Sequence, residues 1–204
     1  MANVIGTDGN DWLIGTSESD TIAGRRGNDT LKGGGGADVL EGHVGIDSAI
    51  YADSTVGVGV SLATGRGFGG TAEGDTLYNI ENLHGSTFND TLIGNDGTND
   101  LYGLDGNDVL KGGGGTDRLD GGYGDDILKG GGGADFLAGG AGSDTADYSQ
   151  SGSLVIVDLQ ANFGQYGEAQ GDTFQQYRER HRLGLLGYPA GRRRRQQSQG
   201  RVWR

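Results

Sequence analysis

The sequence predicts an all-β fold, a solenoid of short strands, and three observations carry that expectation. A nine-residue period runs through two unbroken stretches, Gly6 to Ile50 as five units and Gly85 to Asp147 as seven, and a strict period marks a stacked repeat architecture. Between the stretches, Val56, Val58, Val60 and Leu62 alternate with small or polar residues, the two-residue period of a half-buried strand. The composition, 33% apolar with 45 glycines and one proline in 204 residues, is poor material for an ordinary globular core. The repeat is what keeps this acidic, glycine-rich chain from reading as disordered.

Each unit follows Gly-Gly-x-Gly-x-Asp-x-(apolar)-x, with substitutions. The glycines allow a turn that a larger residue would strain. The Asp supplies a carboxylate, and the apolar residue faces inward on a very short strand. Two clear copies are Gly33-Gly34-Gly35-Gly36-Ala37-Asp38-Val39-Leu40-Glu41 and Gly121-Gly122-Tyr123-Gly124-Asp125-Asp126-Ile127-Leu128-Lys129. The inward row is Leu13, Ile22, Leu31, Leu40 and Ala49, then Leu92, Leu101, Leu110, Leu119, Leu128, Leu137 and Ala146. Each run closes on an Ala with a Tyr two residues on (Tyr51, Tyr148), a narrowing end capped by an aromatic ring. Trp12 falls at an outward position.

A longer period lies above the first. Residues 44–77 and 141–174 align without a gap at an offset of 97, so that Gly74-Asp75-Thr76-Leu77 recurs as Gly171-Asp172-Thr173-Phe174. The spacer after each run reads as longer β-turns of the same solenoid, covering one roll and starting the next. The boundaries expected are a first repeat block at 1–54, a β-rich spacer at 55–84, a second block at 85–151, the start of a second spacer at 152–174 and an Arg-rich tail at 175–204. Residues 1–174 hold 7 Lys/Arg against 27 Asp/Glu, a net −20, whereas residues 175–204 hold nine Arg and one Glu, a net +8. Back-translated and re-read one base later, the tail from Gln176 yields a match to residues 79–99, so it reads as a frameshifted third module and as disordered.

The units resemble the RTX, or hemolysin-type, calcium-binding repeat, whose fold is a right-handed parallel β-roll with two nonapeptides per coil. The resemblance covers residues 6–174 and implies calcium ligands at Asp11, Asp20, Asp29, Asp38 and Asp47, then Asp90, Asn99, Asp108, Asp117, Asp126, Asp135 and Asp144. Calcium takes six to eight oxygens, which main-chain carbonyls and stacked carboxylates would share. If a site joins each unit to the second one along, at most about eight ions are held. Glu18 and Phe88 replace a turn glycine, and Asn99 replaces Asp, so those sites should be impaired. Asp96 and Asp105 read as solvated turn residues. One aliphatic side chain per unit is a thin core, so folding and metal binding should be one event.

The resemblance also implies a secreted, extracellular protein exported by the type I route, although no cleavable signal peptide or export signal is evident in the chain. There is no cysteine and no apolar run long enough for a membrane span. His43, His84 and His181 lack zinc spacing and read as surface residues, and paired carboxylates such as Asp125-Asp126 come with Asp-rich repeats without implying catalysis. Gly33 to Gly36 and Gly112 to Gly115 lack the Lys-Ser/Thr of a phosphate loop. Arg192 to Arg195 would suit nucleic acid only if the tail were a genuine reading frame. The expectation is a non-catalytic calcium-binding module without a nucleic-acid partner, its oligomeric state open. A calcium-dependent adhesion protein with cell-surface or polysaccharide ligands, or an accessory module of a secreted enzyme or toxin, are the alternatives.

Overall fold

The computed structural model describes residues 1–176, which form two ten-stranded sheets and almost no helix. The Arg-rich reading and the frameshift hypothesis fall almost wholly outside these residues. The first repeat block contributes β1 (Asn3–Ile5), β2 (Trp12–Ile14), β3 (Thr21–Arg26), β4 (Thr30–Lys32), β5 (Val39–Val44) and β6 (Ser48–Ile50). The spacer forms β7 (Gly59–Ser61), β8 (Arg66–Phe68) and β9 (Thr76–Tyr78), then β10 (Asn82–His84). The second block holds β11 (Thr91–Ile93), β12 (Asp100–Asp105), β13 (Val109–Gly114), β14 (Arg118–Tyr123), β15 (Ile127–Gly132), β16 (Phe136–Ala141) and β17 (Thr145–Ala146). Last come β18 (Ile156–Asp158), β19 (Phe163–Gln165) and β20 (Thr173–Gln175).

Within the blocks, strands pair in parallel with the strand two units away. Leu13 stands beside Leu31, Ile22 beside Leu40, and Leu110 beside Leu128. Each of these registers advances eighteen residues, so one coil is two nonapeptides and consecutive units lie in opposite sheets. The fold is the parallel β-roll that the period predicts, running as a single stack through both blocks. The apolar eighth residues meet between the sheets: Ile22, Leu31, Leu40 and every Leu from Leu83 to Leu137 at this position are fully buried, as are Tyr51 and Tyr148.

The spacers are not simply longer turns. In the first, β7, β8 and β9 form an antiparallel meander, with Val60 beside Gly67 and Arg66 beside Thr76. Its outer strands revert to parallel pairing, β9 on β5 and β7 on β11. The opposite sheet passes straight from β6 through β10 to β12. The meander thus fills one sheet while the other stays regular. The second spacer repeats it, with β20 on β16 and β19 and β18 antiparallel beyond. In both, a short 3-10 turn precedes the final strand, Gly70–Ala72 and Gly167–Ala169.

Candidate metal centre

The sixth residue of each unit turns its carboxylate into the stack. Asp20, Asp29, Asp38, Asp47, Asp90, Asn99, Asp108, Asp117, Asp126, Asp135 and Asp144 are all buried, whereas Asp11, in the first unit, is half-buried. Asp96 and Asp105, the third-position residues, are exposed. A backbone amide of one coil donates to the carboxylate of the next. The Asp29 amide reaches Asp47 Oδ1 at 2.7 Å, Asp90 reaches Asp108 at 2.8 Å, and Asp117 reaches Asp135 at 2.9 Å. Alternate units make two such rows. Both rows of the first block and one row of the second are closed by residues outside the nonapeptide frame. Asp38 donates to Asp75 Oδ1 and Asp135 to Asp172 Oδ1, while Asp47 donates to Glu81 Oε2. The second oxygens of Asp75 and Asp172 accept the hydroxyls of Tyr51 and Tyr148. Asp75 and Asp172 were legible only as part of the 97-residue recurrence, because no Gly-Gly-x-Gly precedes them.

The twelve turns fall into two conformations, decided at the second position. In eight units that residue has positive φ: Arg25, Gly34, His43, Leu104, Gly113, Gly122, Gly131 and Gly140. With φ reversed there, its N–H turns away from the carboxylate of the same unit. Oδ2 of Asp29, Asp38, Asp47, Asp108, Asp117, Asp126 and Asp135 is then buried without a hydrogen-bond partner. The strand before such a turn also runs on through it, so that Arg25 pairs with His43 and Leu104 with Gly122.

In the other four units the second residue is Thr7, Thr16, Ser86 or Asn95, and φ stays negative. Its N–H now donates to the side chain four residues on: Thr7 to Asp11 and Thr16 to Asp20 at 2.6 Å, and Asn95 to Asn99 at 2.8 Å. The hydroxyls add a second donor, Thr7 to Asp11 at 2.9 Å and Thr16 to Asp20 at 2.8 Å. Ser86 makes the same pair of bonds to Asp90. Each side chain also accepts the fourth-position N–H, as Ser and Asn do in ST- and Asx-turns. That bond holds the fourth residue at negative φ, which is why Glu18 and Phe88 are tolerated where the open turns have glycine. The substitutions flagged by sequence at the fourth position therefore follow from a residue two places earlier. These four closed turns are the first two units of each block.

The open turns are lined with acceptors and lack donors. A Cβ built on Gly103, Gly112 or Gly121 would strike Oδ2 of Asp108, Asp117 or Asp126 and the carbonyl oxygen of Gly121, Gly130 or Gly139, the latter at 2.6–2.7 Å. Glycine is required there because carboxylate and carbonyl crowd its α-carbon. Burial pushes the carboxyls of Asp108 and Asp117 up to about 7 and that of Asp126 up to about 6. The same desolvation raises Asp38, Asp47 and Asp135. Asp20, reached by the Ala2 amide and closed by its Thr, is held below the usual range. A buried oxygen without a donor beside main-chain carbonyls suits a cation.

Among the described residues no three His, Cys, Asp or Glu side chains converge. A cation in these rows would take its ligands from two stacked carboxylates and from carbonyl oxygens, a set that suits a hard ion such as calcium rather than zinc. His43 is exposed beside Glu41, while His84 is half-buried in β10, stacked on Tyr102 at 4.6 Å. Among the described residues no helix is long and apolar enough to cross a membrane. A family model, the RTX calcium-binding nonapeptide repeat, matches in four copies at residues 5–40, 14–49, 75–110 and 111–146. No curated protein matches the chain.

Proposed function

The chain belongs to the RTX calcium-binding nonapeptide repeat family and is a calcium-binding repeat module; from that premise we propose that it is a non-catalytic roll that folds around calcium after export to a calcium-rich exterior. The orphaned carboxylate oxygens of the open turns carry this reading. Without metal, the roll buries one oxygen of each stacked carboxylate against carbonyls with no donor to satisfy it, and each such group costs about 1–3 kcal/mol. With calcium, the same oxygens become ligands and the cost reverses.

The ions sit where two open turns stack in the same row. Asp29 with Asp47, Asp108 with Asp126, Asp117 with Asp135 and Asp126 with Asp144 are the pairs that qualify. Asp11, Asp20, Asp90 and Asn99 belong to closed turns and complete no site of this kind. The ceiling of about eight set by repeat counting thus drops to about four strongly held ions.

Far-UV circular dichroism during calcium titration, with magnesium as control, tests the folding step, and native mass spectrometry counts the ions. A cooperative coil-to-β transition with calcium alone, and about four tightly retained ions, is the expected result. A chain already β-structured in chelator defeats the folding switch. A count near eight defeats the division into open and closed turns while leaving calcium binding intact.

A further inference from the structure

We propose that the two ends of the roll dock on one another, so that a second copy of this chain adds its first coil to the last strand of the described stack. The evidence lies in the junction the molecule already contains. There β7 receives β11, and β6 receives β10. The strands that open the chain repeat the incoming pair. Asn3-Val4-Ile5-Gly6 corresponds to Asn82-Leu83-His84-Gly85, and Asn10-Asp11-Trp12-Leu13-Ile14 to Asn89-Asp90-Thr91-Leu92-Ile93. The strand β18 is the counterpart of β7 at the 97-residue offset and lies at the edge of its sheet.

Burial shows what each end lacks. All three residues of β7 are buried, whereas β18 reads exposed, half-buried, exposed. Val60 and Leu92, paired across the inner junction, are both 0% exposed, while their counterparts Val157 and Leu13 are less covered, Leu13 at 8%. The polar groups match as well. At the inner junction the Val58 amide donates to Asp90 Oδ1 at 2.7 Å and the Thr91 amide to Val58 O at 2.8 Å. Asp11, the counterpart of Asp90, is the sixth-position Asp whose Oδ1 receives no amide among the described residues, and the Val155 amide, counterpart of Val58, donates to none of them. Transferring the inner register (Thr91 beside Gly59, Leu92 beside Val60) sets Trp12 beside Ile156 and Leu13 beside Val157. Trp12 and Ile156 are 63% and 45% exposed, two apolar side chains that cover each other only in the docked pair.

Head-to-tail docking of this kind does not close on itself, so it grows into linear chains. Sedimentation velocity of the full chain in calcium, over a wide range of concentration, tests it. Circular dichroism on the same samples separates failure to fold from failure to associate. Concentration-dependent linear oligomers are expected, with Trp12→Lys and Ile156→Lys each weakening association roughly tenfold or more and leaving the β signal unchanged. Mixing Trp12→Lys with Ile156→Lys should restore a one-to-one pair, since the intact Ile156 end of the first receives the intact Trp12 end of the second while their substituted ends do not dock. A folded monomer at every concentration overturns the proposal, and so does association that neither substitution disturbs. The first outcome would leave residues 177–204 of the same chain, or a further repeat block, as the occupant of that edge.

Discussion

The amide of Asp108 donates to Oδ1 of Asp126, 2.8 Å away and one full coil further along the chain. One carboxylate oxygen is thereby spent on the neighbouring backbone, and the other is left for a ligand. Asp126→Ala removes both functions, and Asp126→Asn removes chiefly the charge. In calcium, the Ala variant should lose about 1–3 kcal/mol through the orphaned Asp108 amide, together with two ions. The Asn variant should keep the melting temperature closer to that of the parent while losing the same ions. Thermal unfolding combined with native mass spectrometry separates the two.

The closed turns can be opened. Thr16→Gly with Glu18→Gly gives the second unit the residues of an open turn and frees Asp20 Oδ2 from its two Thr16 donors. One additional calcium should then bind between Asp20 and Asp38. An unchanged ion count would mean that the hydroxyl is not what excludes the metal.

Leu104 adopts φ 80° at the second position of an open turn, a conformation that a branched side chain resists. Leu104→Gly should stabilise the calcium-loaded roll by about 1 kcal/mol, the usual scale of that strain. Chemical denaturation in saturating calcium measures it, and a destabilised variant would show that Leu104 contributes more by packing than it loses by strain.

Much of this was legible in the sequence. A nine-residue frame with one Asp and one aliphatic residue per unit is enough to place the carboxylate rows and the buried leucines, because backbone period and stacking leave them one arrangement. The two turn conformations were not legible, since Thr16 and Arg25 occupy the same position in the frame, and only the hydroxyl's ability to bond Asp20 separates them. The meander of β7, β8 and β9 was hidden for a different reason. Alternating residues announce a strand but not its direction, and the antiparallel pairing of Val60 with Gly67 is set by the turn between them. Asp75 lay outside the repeat frame, so its place at the end of a row depends on Tyr51 and Asp38, which the fold brings to it.

Acidity should act on the metal-free roll in the direction opposite to ordinary acid denaturation. An unfolded Asp titrates near 3.9, while burial raises Asp108 and Asp117 to about 7 and Asp126 to about 6 in the roll. The folded form then holds more protons than the unfolded one between roughly pH 4 and 7, so folded stability is greatest at the acid end and falls as pH rises through 7. In chelator, β structure should be greater at pH 5 than at pH 8. Equal β structure in chelator at the two pH values would count against the burial of these carboxylates in the metal-free roll.

The sixth-position amides point one way, each giving its hydrogen to the side chain of the coil that follows, while fifth-position side chains such as Asn10 and Asp125 accept an amide from that following coil. A coil is therefore finished by its neighbours on both sides. Residues removed from the front of such a stack leave the next carboxylate without its amide donor, as Asp29 would be without Asp11. Residues removed from the back take away the acceptor that the preceding amide was using. The roll has a grain, like a row of shingles, and its two cut ends differ in kind, one a carboxylate in want of a donor and the other an amide in want of an acceptor.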